Sequence, residues 1–223
     1  MGERAELIRW SETLSGIART GLGFTQSQYE RERFEEILHV AADMRHAAGH
    51  DLTPPELQAE WLKTVGSGVP GYITPKVAVG AVVGNEKGEI LLIQRADSGH
   101  WLYPTGWADI GYSPAEVAVK EVREETGIEC DVVQVLGVHD GMRLGFTAVP
   151  LYSIVFHCRA TGGTLDPHPL EASDVGWFGA DALPTPIIGA DRWAPSAFSA
   201  IRGEPVTVGF DEPRSPVWRG AAE

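Results

Sequence analysis

Cysteine is nearly absent from this 223-residue chain, which holds only Cys130 and Cys158. They lie far apart in sequence, each among apolar residues. This pattern argues against a disulfide-stapled scaffold and fits two reduced core thiols in a cytoplasmic protein. Positive charge is scarce as well: 18 Lys and Arg stand against 31 Asp and Glu, a formal net charge of −13. Such a surface repels nucleic-acid backbones and anionic membranes, so partners of either kind are not expected. No apolar run reaches the roughly 18 residues a membrane span requires. The first ten residues carry four charges and no apolar core, so no secretory signal is expected there. Nucleophile-elbow, zinc-ligand and P-loop spacings are missing, and Gly21-x-Gly23 has no preceding strand to make it a dinucleotide fingerprint.

Hydrophobic residues make up 43% of the chain, enough for a sizeable core. Residues 1–64 read as a small all-helical domain. Leu7, Trp10, Leu14 and Ile17 recur at helical spacing, as do Phe34, Ile37, Leu38, Ala41 and Met44, and Thr53-Pro54 opens a third helix. Each helix carries one apolar stripe, which must pack on the other helices, on the rest of the chain or on a second subunit. Residues 65–75, rich in Gly and Pro, read as a linker. Val77–Val83 and Ile90–Ile93, joined by turn residues, predict a hairpin, and Val132–Val138 and Leu151–Cys158 predict further strands. The β-β-α-β-β order fits an α/β sandwich over 76–183. Residues 184–223 read as a Pro-rich, mostly irregular extension with room for a short helix near Ala197 and a short strand within Val206–Phe210.

The segment Gly106–Ile128 carries the chemistry. Ser113 as N-cap, Pro114 at the first helical position, Glu116 reaching back and Gly127 as the stop predict a helix over Pro114–Thr126. At about 100° per residue, Glu121, Glu124 and Glu125 share one side of that helix, and Ala115, Ala118, Val119 and Val122 share the adjacent arc. Crowded carboxylates repel one another unless neutralised. They form the oxygen-rich set that suits Mg²⁺ or Mn²⁺, although a solvated acidic face has the same pattern.

Gly106, Glu121, Glu124, Glu125, Gly127 and Ile128 also stand at the fixed spacing of the Nudix box, and the segment resembles that family strongly. The resemblance extends over about Pro75–Leu183, including the preceding hairpin and the later Glu171–Phe178. It implies a Nudix α/β/α sandwich with a mixed sheet. It also implies Glu121, Glu124 and Glu125 as metal ligands, joined by the Gly106 carbonyl, with Mg²⁺ (or Mn²⁺) holding and acidifying the attacking water. Glu124, Glu125, Glu171 and Lys120 are the candidate catalytic residues. Glu171 could be a ligand, the general base or a plain loop carboxylate.

Three positions depart from the family pattern. Tyr112 replaces the first box Glu, Lys120 replaces the box Arg, and Thr105 replaces the Gly that usually precedes Gly106. Lys keeps the charge of Arg but loses its forked hydrogen bonding.

The N-terminal residues Arg9, Trp10, Leu14, Ile17, Ala18, Thr20, Gly21 and Leu22 are similar to the helical domain of Nudix hydrolases that act on X-linked nucleoside diphosphates. That likeness implies a homodimer and a small-molecule substrate of the ADP-ribose or CDP-choline type. Trp101, Tyr103 and Phe146 could each stack a base or simply fill the core. Arg143, beside His139 and Asp140 at a strand end, is a candidate substrate contact. The leading expectation is a metal-dependent diphosphatase that releases a nucleoside monophosphate. The alternative is a Nudix domain that binds a nucleotide-linked metabolite without cleaving it. An RNA-directed activity is disfavoured by the acidic charge.

Overall fold

The computed structural model describes residues 3–65, 73–144 and 147–213. Most of the 65–75 segment, Phe146 and the prolines beyond residue 213 lie outside the described residues. The chain divides into two compact units, residues 1–75 and 76–223.

In the first unit, α1 (Glu3–Phe24), α2 (Gln28–Ala47) and α3 (Pro54–Leu62) follow the helices the periodicity predicts. Ser27 caps α2 by accepting from the Glu30 N–H, and Thr53 with Glu56 forms a capping box on α3. The unit's core is Ala18, Leu22 and Leu38, backed by Phe34, Ile37 and Trp61. Gly21 permits the close approach of α1 to α2, since a Cβ there would lie 2.3 Å from the Phe34 ring.

The face that α1 buries differs from the expected stripe. Ile8, Ser11, Ser15, Ala18 and Leu22 point inward, and Trp10 and Ile17 remain 41% and 54% exposed. Small residues let α1 and α2 pack tightly. Ser11 completes the contact by donating its hydroxyl to the Ala41 carbonyl at 2.7 Å.

The second unit is built on a mixed eight-stranded sheet. Its strands are β1 (Lys76–Gly84), β2 (Ile90–Arg95), β3 (Trp101–Leu102), β4 (Thr105–Trp107), β5 (Ile128–Asp140), β6 (Leu151–Gly163), β7 (Ala172–Phe178) and β8 (Gly209–Phe210). The order is β3-β2-β1-β6-β5-β8, with β4 on β1 and β7 on β2. β1 runs parallel to β6 over nine residue pairs, whereas β5 and β6 are antiparallel.

Helix α4 (Pro114–Thr126) covers one face, where Val117, Ala118 and Val122 meet Val79, Ala81 and Val83. Helix α6 (Ala190–Ile201) covers the other, where Ala194, Ala197 and Phe198 meet Val82, Leu92 and Val155. A short α5 (Gly141–Leu144) follows β5. β1 is buried on both faces, which is why its sequence is continuously apolar rather than alternating. The layers are those of the expected α/β/α sandwich, and both cysteines are free and buried in the α4-side core.

Several elements differ from the sequence reading. β5 starts at Ile128 instead of Val132, because Gly127 adopts a left-handed φ of +72° and turns the chain directly from helix to strand. The short β3 and β4 carry no periodicity long enough to read. Part of the stretch read as irregular is α6, whose apolar residues are legible only once the sheet supplies a surface for them.

Candidate active site

Helix α4 begins and ends as its caps dictate. Ser113 accepts from the Glu116 N–H at 3.3 Å, and the Glu116 carboxylate accepts from the Ser113 N–H at 2.6 Å. Glu121 and Glu125 stand one turn apart on the side of α4 that faces the Thr105–Trp107 strand. Glu124 lies between them in sequence and points further toward solvent. β4 is fixed by pairing with β1, where Gly106 opposes Val79.

Two contacts join strand to helix. The Thr105 backbone N–H donates to Glu125 Oε2 at 2.9 Å. At Gly106 the backbone lies so near Glu121 that a Cβ would fall 2.2 Å from its carboxylate carbon. Glycine at 106 is therefore required by space.

The electrostatics follow from burial. Glu125 is only 4% exposed, and desolvation pushes its pKa up to about 8. The Thr105 N–H opposes that rise, whereas Glu121 and Glu171 reinforce it. Glu121 is also raised, first by burial, with Lys120 pulling the other way.

Lys120 is the local cation. Its Nζ lies 2.8 Å from Glu124, 3.3 Å from Asp109 and 3.4 Å from Glu121, and the hydrogen bond to Glu124 holds its pKa above the usual lysine range. Lys120 thus reaches three carboxylates in turn with its point charge, where an Arg would fork onto one. Tyr112 is exposed and brings no carboxylate to this cluster.

Glu171 belongs to the same neighbourhood. Its carbonyl accepts from the Ala96 N–H at 2.9 Å, which sets the loop beside the end of β2, and its charge is felt at both Glu121 and Glu125. Three more residues belong here that sequence reasoning passed over. Arg95 senses both Glu125 and Glu171, and its fork is held by Asp97 at 3.0 and 2.6 Å. Asp109 tethers the box loop to Lys120. The His168 N–H donates to the Glu125 carbonyl at 3.2 Å, and its Nδ1 is buried with no hydrogen-bond partner among the described residues. None of the three stands in a helical register that would single it out.

The candidate substrate contacts scatter. Trp101 is 7% exposed and packs edge-on to Phe178 at 5.0 Å, so it is a core residue with no open ring face. Tyr103 is buried against Trp193 at 5.3 Å, and burial raises its phenol to about 12. Its ring nevertheless borders a cavity of about 360 Å³ on the α6 side of the sheet. Arg143 is outside that cavity and donates from Nη2 to the Glu212 carbonyl at 2.9 Å.

The NUDIX domain model matches residues 74–199, more than half of the chain. This chain belongs to the Nudix family. The helical unit of this Nudix hydrolase matches, over residues 5–58, the model described as "UDP-X-like, N-terminal oligomerisation domain". A Bacillus subtilis (strain 168) protein named "Putative ADP-ribose pyrophosphatase YjhB" is 33% identical over 201 residues, which is 89% of each chain. A crystal structure of a UDP-X diphosphatase is similar over 94% of this chain and all of its own, with 28% identity and a TM-score of 0.54. An ADP-ribose pyrophosphatase from Streptococcus suis 89-1591 is similar over 62% of this chain and all of its own, with 29% identity and a TM-score of 0.52.

The residues of this Nudix site fit a hard divalent cation in their chemistry. Two carboxylates are buried side by side with a third acid close by, and the raised Glu125 marks negative charge that the protein alone leaves undercompensated. Among the described residues no three Asp, Glu, His or Cys side chains already converge on one point. Glu124 is turned onto Lys120, and rotation about its solvent-exposed stem is what separates this arrangement from a three-carboxylate set.

Proposed function

We propose that this chain hydrolyses the diphosphate linkage of a nucleoside diphosphate joined to a second group, of the ADP-ribose or CDP-choline type, and releases a nucleoside monophosphate. The observation that carries this reading is the meeting of Glu121 and Glu125 with the Thr105–Gly106 backbone, beside Glu124 and Glu171. The names of the full-length relatives, which describe cleavage of nucleotide-linked diphosphates, support it.

Glu121, Glu124 and Glu125, with the Gly106 carbonyl, would hold Mg²⁺ or Mn²⁺. The ion, when bound, neutralises the diphosphate and acidifies a water. Lys120 is a positioning residue that holds Glu124 and Glu121 in place. Glu171 is exposed next to this cluster and can accept the proton of the attacking water. The acidic charge of the protein makes a bound cation the natural means of attracting an anionic substrate.

The helical unit serves a homodimer. Trp10, Ile17 and Phe24 repeat every seven residues and drift by only about 20° per step, so they form one outward apolar stripe along α1. A second copy of α1 is the partner that covers it. Among the described residues no helix is long and apolar enough to cross a membrane, and we place the protein in the cytoplasm.

The second reading, a domain that binds without cleaving, is favoured by the Lys120–Glu124 pair and by Tyr112. Incubation with Mg²⁺ or Mn²⁺ and a panel of ADP-ribose, CDP-choline, nucleotide sugars and dinucleoside polyphosphates separates the two. Release of a nucleoside monophosphate supports hydrolysis; tight binding with no turnover in either metal overturns it.

A further inference from the structure

The α6-side cavity has a wall that lies beyond the residues matching the family model. Past α6 the chain returns as β8 and adds to the edge of β5 in parallel, with Gly209 beside Gly137 and Phe210 beside Val138. Residues Gly209–Glu212 line the cavity opposite the first turns of α6, and Tyr103, Leu136 and Val155 form its floor.

This strap is fastened at one corner. The Asp140 N–H donates to Asp211 Oδ2 at 2.6 Å. The Asp140 carboxylate in turn caps α5 by accepting from the Met142 N–H at 3.0 Å. Arg143 on α5 reaches back to the Glu212 carbonyl at 2.9 Å. Two glycines make room for the seam: the His139 ring lies 2.4 Å from where a Cβ on Gly137 would be and 3.3 Å from one on Gly209.

The two sides of the cavity differ in chemistry. The strap brings the carboxylates of Asp211 and Glu212. Across from it stands Arg192, whose guanidinium has no ion-pair partner among the described residues. The floor between them is apolar and aromatic. Tyr103 on this floor is two residues from Thr105, which holds Glu125, so the cavity and the carboxylate cluster lie about 7 Å apart along extended chain. A ribose bridges that kind of gap.

We propose that the strap Gly209–Glu212 is the base-reading wall of this cavity. The nucleobase ring rests on the apolar floor, its N–H donors face the strap carboxylates and its acceptors face Arg192. An apolar floor between opposed acceptor and donor groups suits a planar heterocycle better than a polyhydroxylated sugar. This assignment rests on the diphosphatase reading, since it concerns the nucleoside half of that substrate.

The test measures binding of AMP, GMP, CMP and UMP to the full chain by calorimetry, with ribose 5-phosphate as the base-free control. At least one nucleotide is expected to bind about tenfold or more tightly than the control, because unpaired buried polar groups penalise the ligand that lacks their partners. Asp211→Ala, which unfastens the strap, and Gly209→Val, which wedges it against His139, are expected to bring that ratio near one. Phe210→Ala, at an exposed position, perturbs the strap without endangering the fold, and is expected to reduce the ratio. The proposal is overturned if no nucleotide outbinds ribose 5-phosphate, or if the preference survives in folded strap variants. Nucleoside monophosphate release is scored separately. Turnover with a strap-independent preference removes this inference alone, and a strap-dependent preference without turnover removes the diphosphatase reading alone.

Discussion

The backbone N–H of Thr105 donates to the Glu125 carboxylate at 2.9 Å, while the Thr105 hydroxyl turns away to the Val79 carbonyl at 3.0 Å. The contact to Glu125 uses backbone only, so Thr in place of the family's usual Gly leaves it intact. The next residue has no such freedom.

Gly106→Ala places a methyl group inside the Glu121 carboxylate. The expected result is a fall in kcat/KM of about 10- to 100-fold, the range seen when a metal site's supporting geometry is disturbed. Steady-state kinetics on the best panel substrate checks this, with circular dichroism to verify the fold.

Trp101→Ala separates a core role from a base platform. Loss of a large buried aromatic costs about 3–5 kcal/mol of stability. Urea unfolding should register that loss, and nucleotide affinity measured well below the unfolding midpoint should stay close to that of the unaltered protein.

Ile17→Glu places a charge in the middle of the Trp10–Ile17–Phe24 stripe. The expected outcome is dissociation to a folded monomer, read by light scattering after size exclusion. An unchanged dimer would move the interface elsewhere on the helical unit.

The Arg95 fork, aided by Ser98, holds the Asp97 carboxyl down to about 2. Its unfolded value lies near 3.9. A depressed carboxylate contributes stability that is fully present above the unfolded value and is lost as pH falls from about 4 toward 2. Asp97→Asn should therefore flatten the pH dependence of unfolding in that window, as measured by urea titrations at pH 5, 4 and 3. No difference between the two proteins there would contradict the pairing.

What could be read in advance was local. The caps of α4, its three-glutamate face and the β1–β2 hairpin are written in consecutive residues, and the structure places them where their spacing predicts. What could not be read depends on chain segments distant in sequence. Arg95 and Glu171 are neighbours because the Ala96 N–H bonds the Glu171 carbonyl, and His168 reaches Glu125 through a loop. Trp101 looks like a base platform until α6 and Phe178 bury it. On α1 the periodicity found apolar residues but could not say which were for the fold. The small residues took the interior and the large ones were left facing outward.

The most direct measurement is release of nucleoside monophosphate from the nucleotide-linked panel in Mg²⁺, comparing the unaltered chain with Glu125→Gln. Gln fills the same space and can still accept from the Thr105 N–H, so the fold should persist. The expected result is turnover by the unaltered chain and none above background by the variant. Equal rates in the two proteins, or no product from either, would contradict the assignment of Glu121, Glu124 and Glu125 as the catalytic carboxylate cluster.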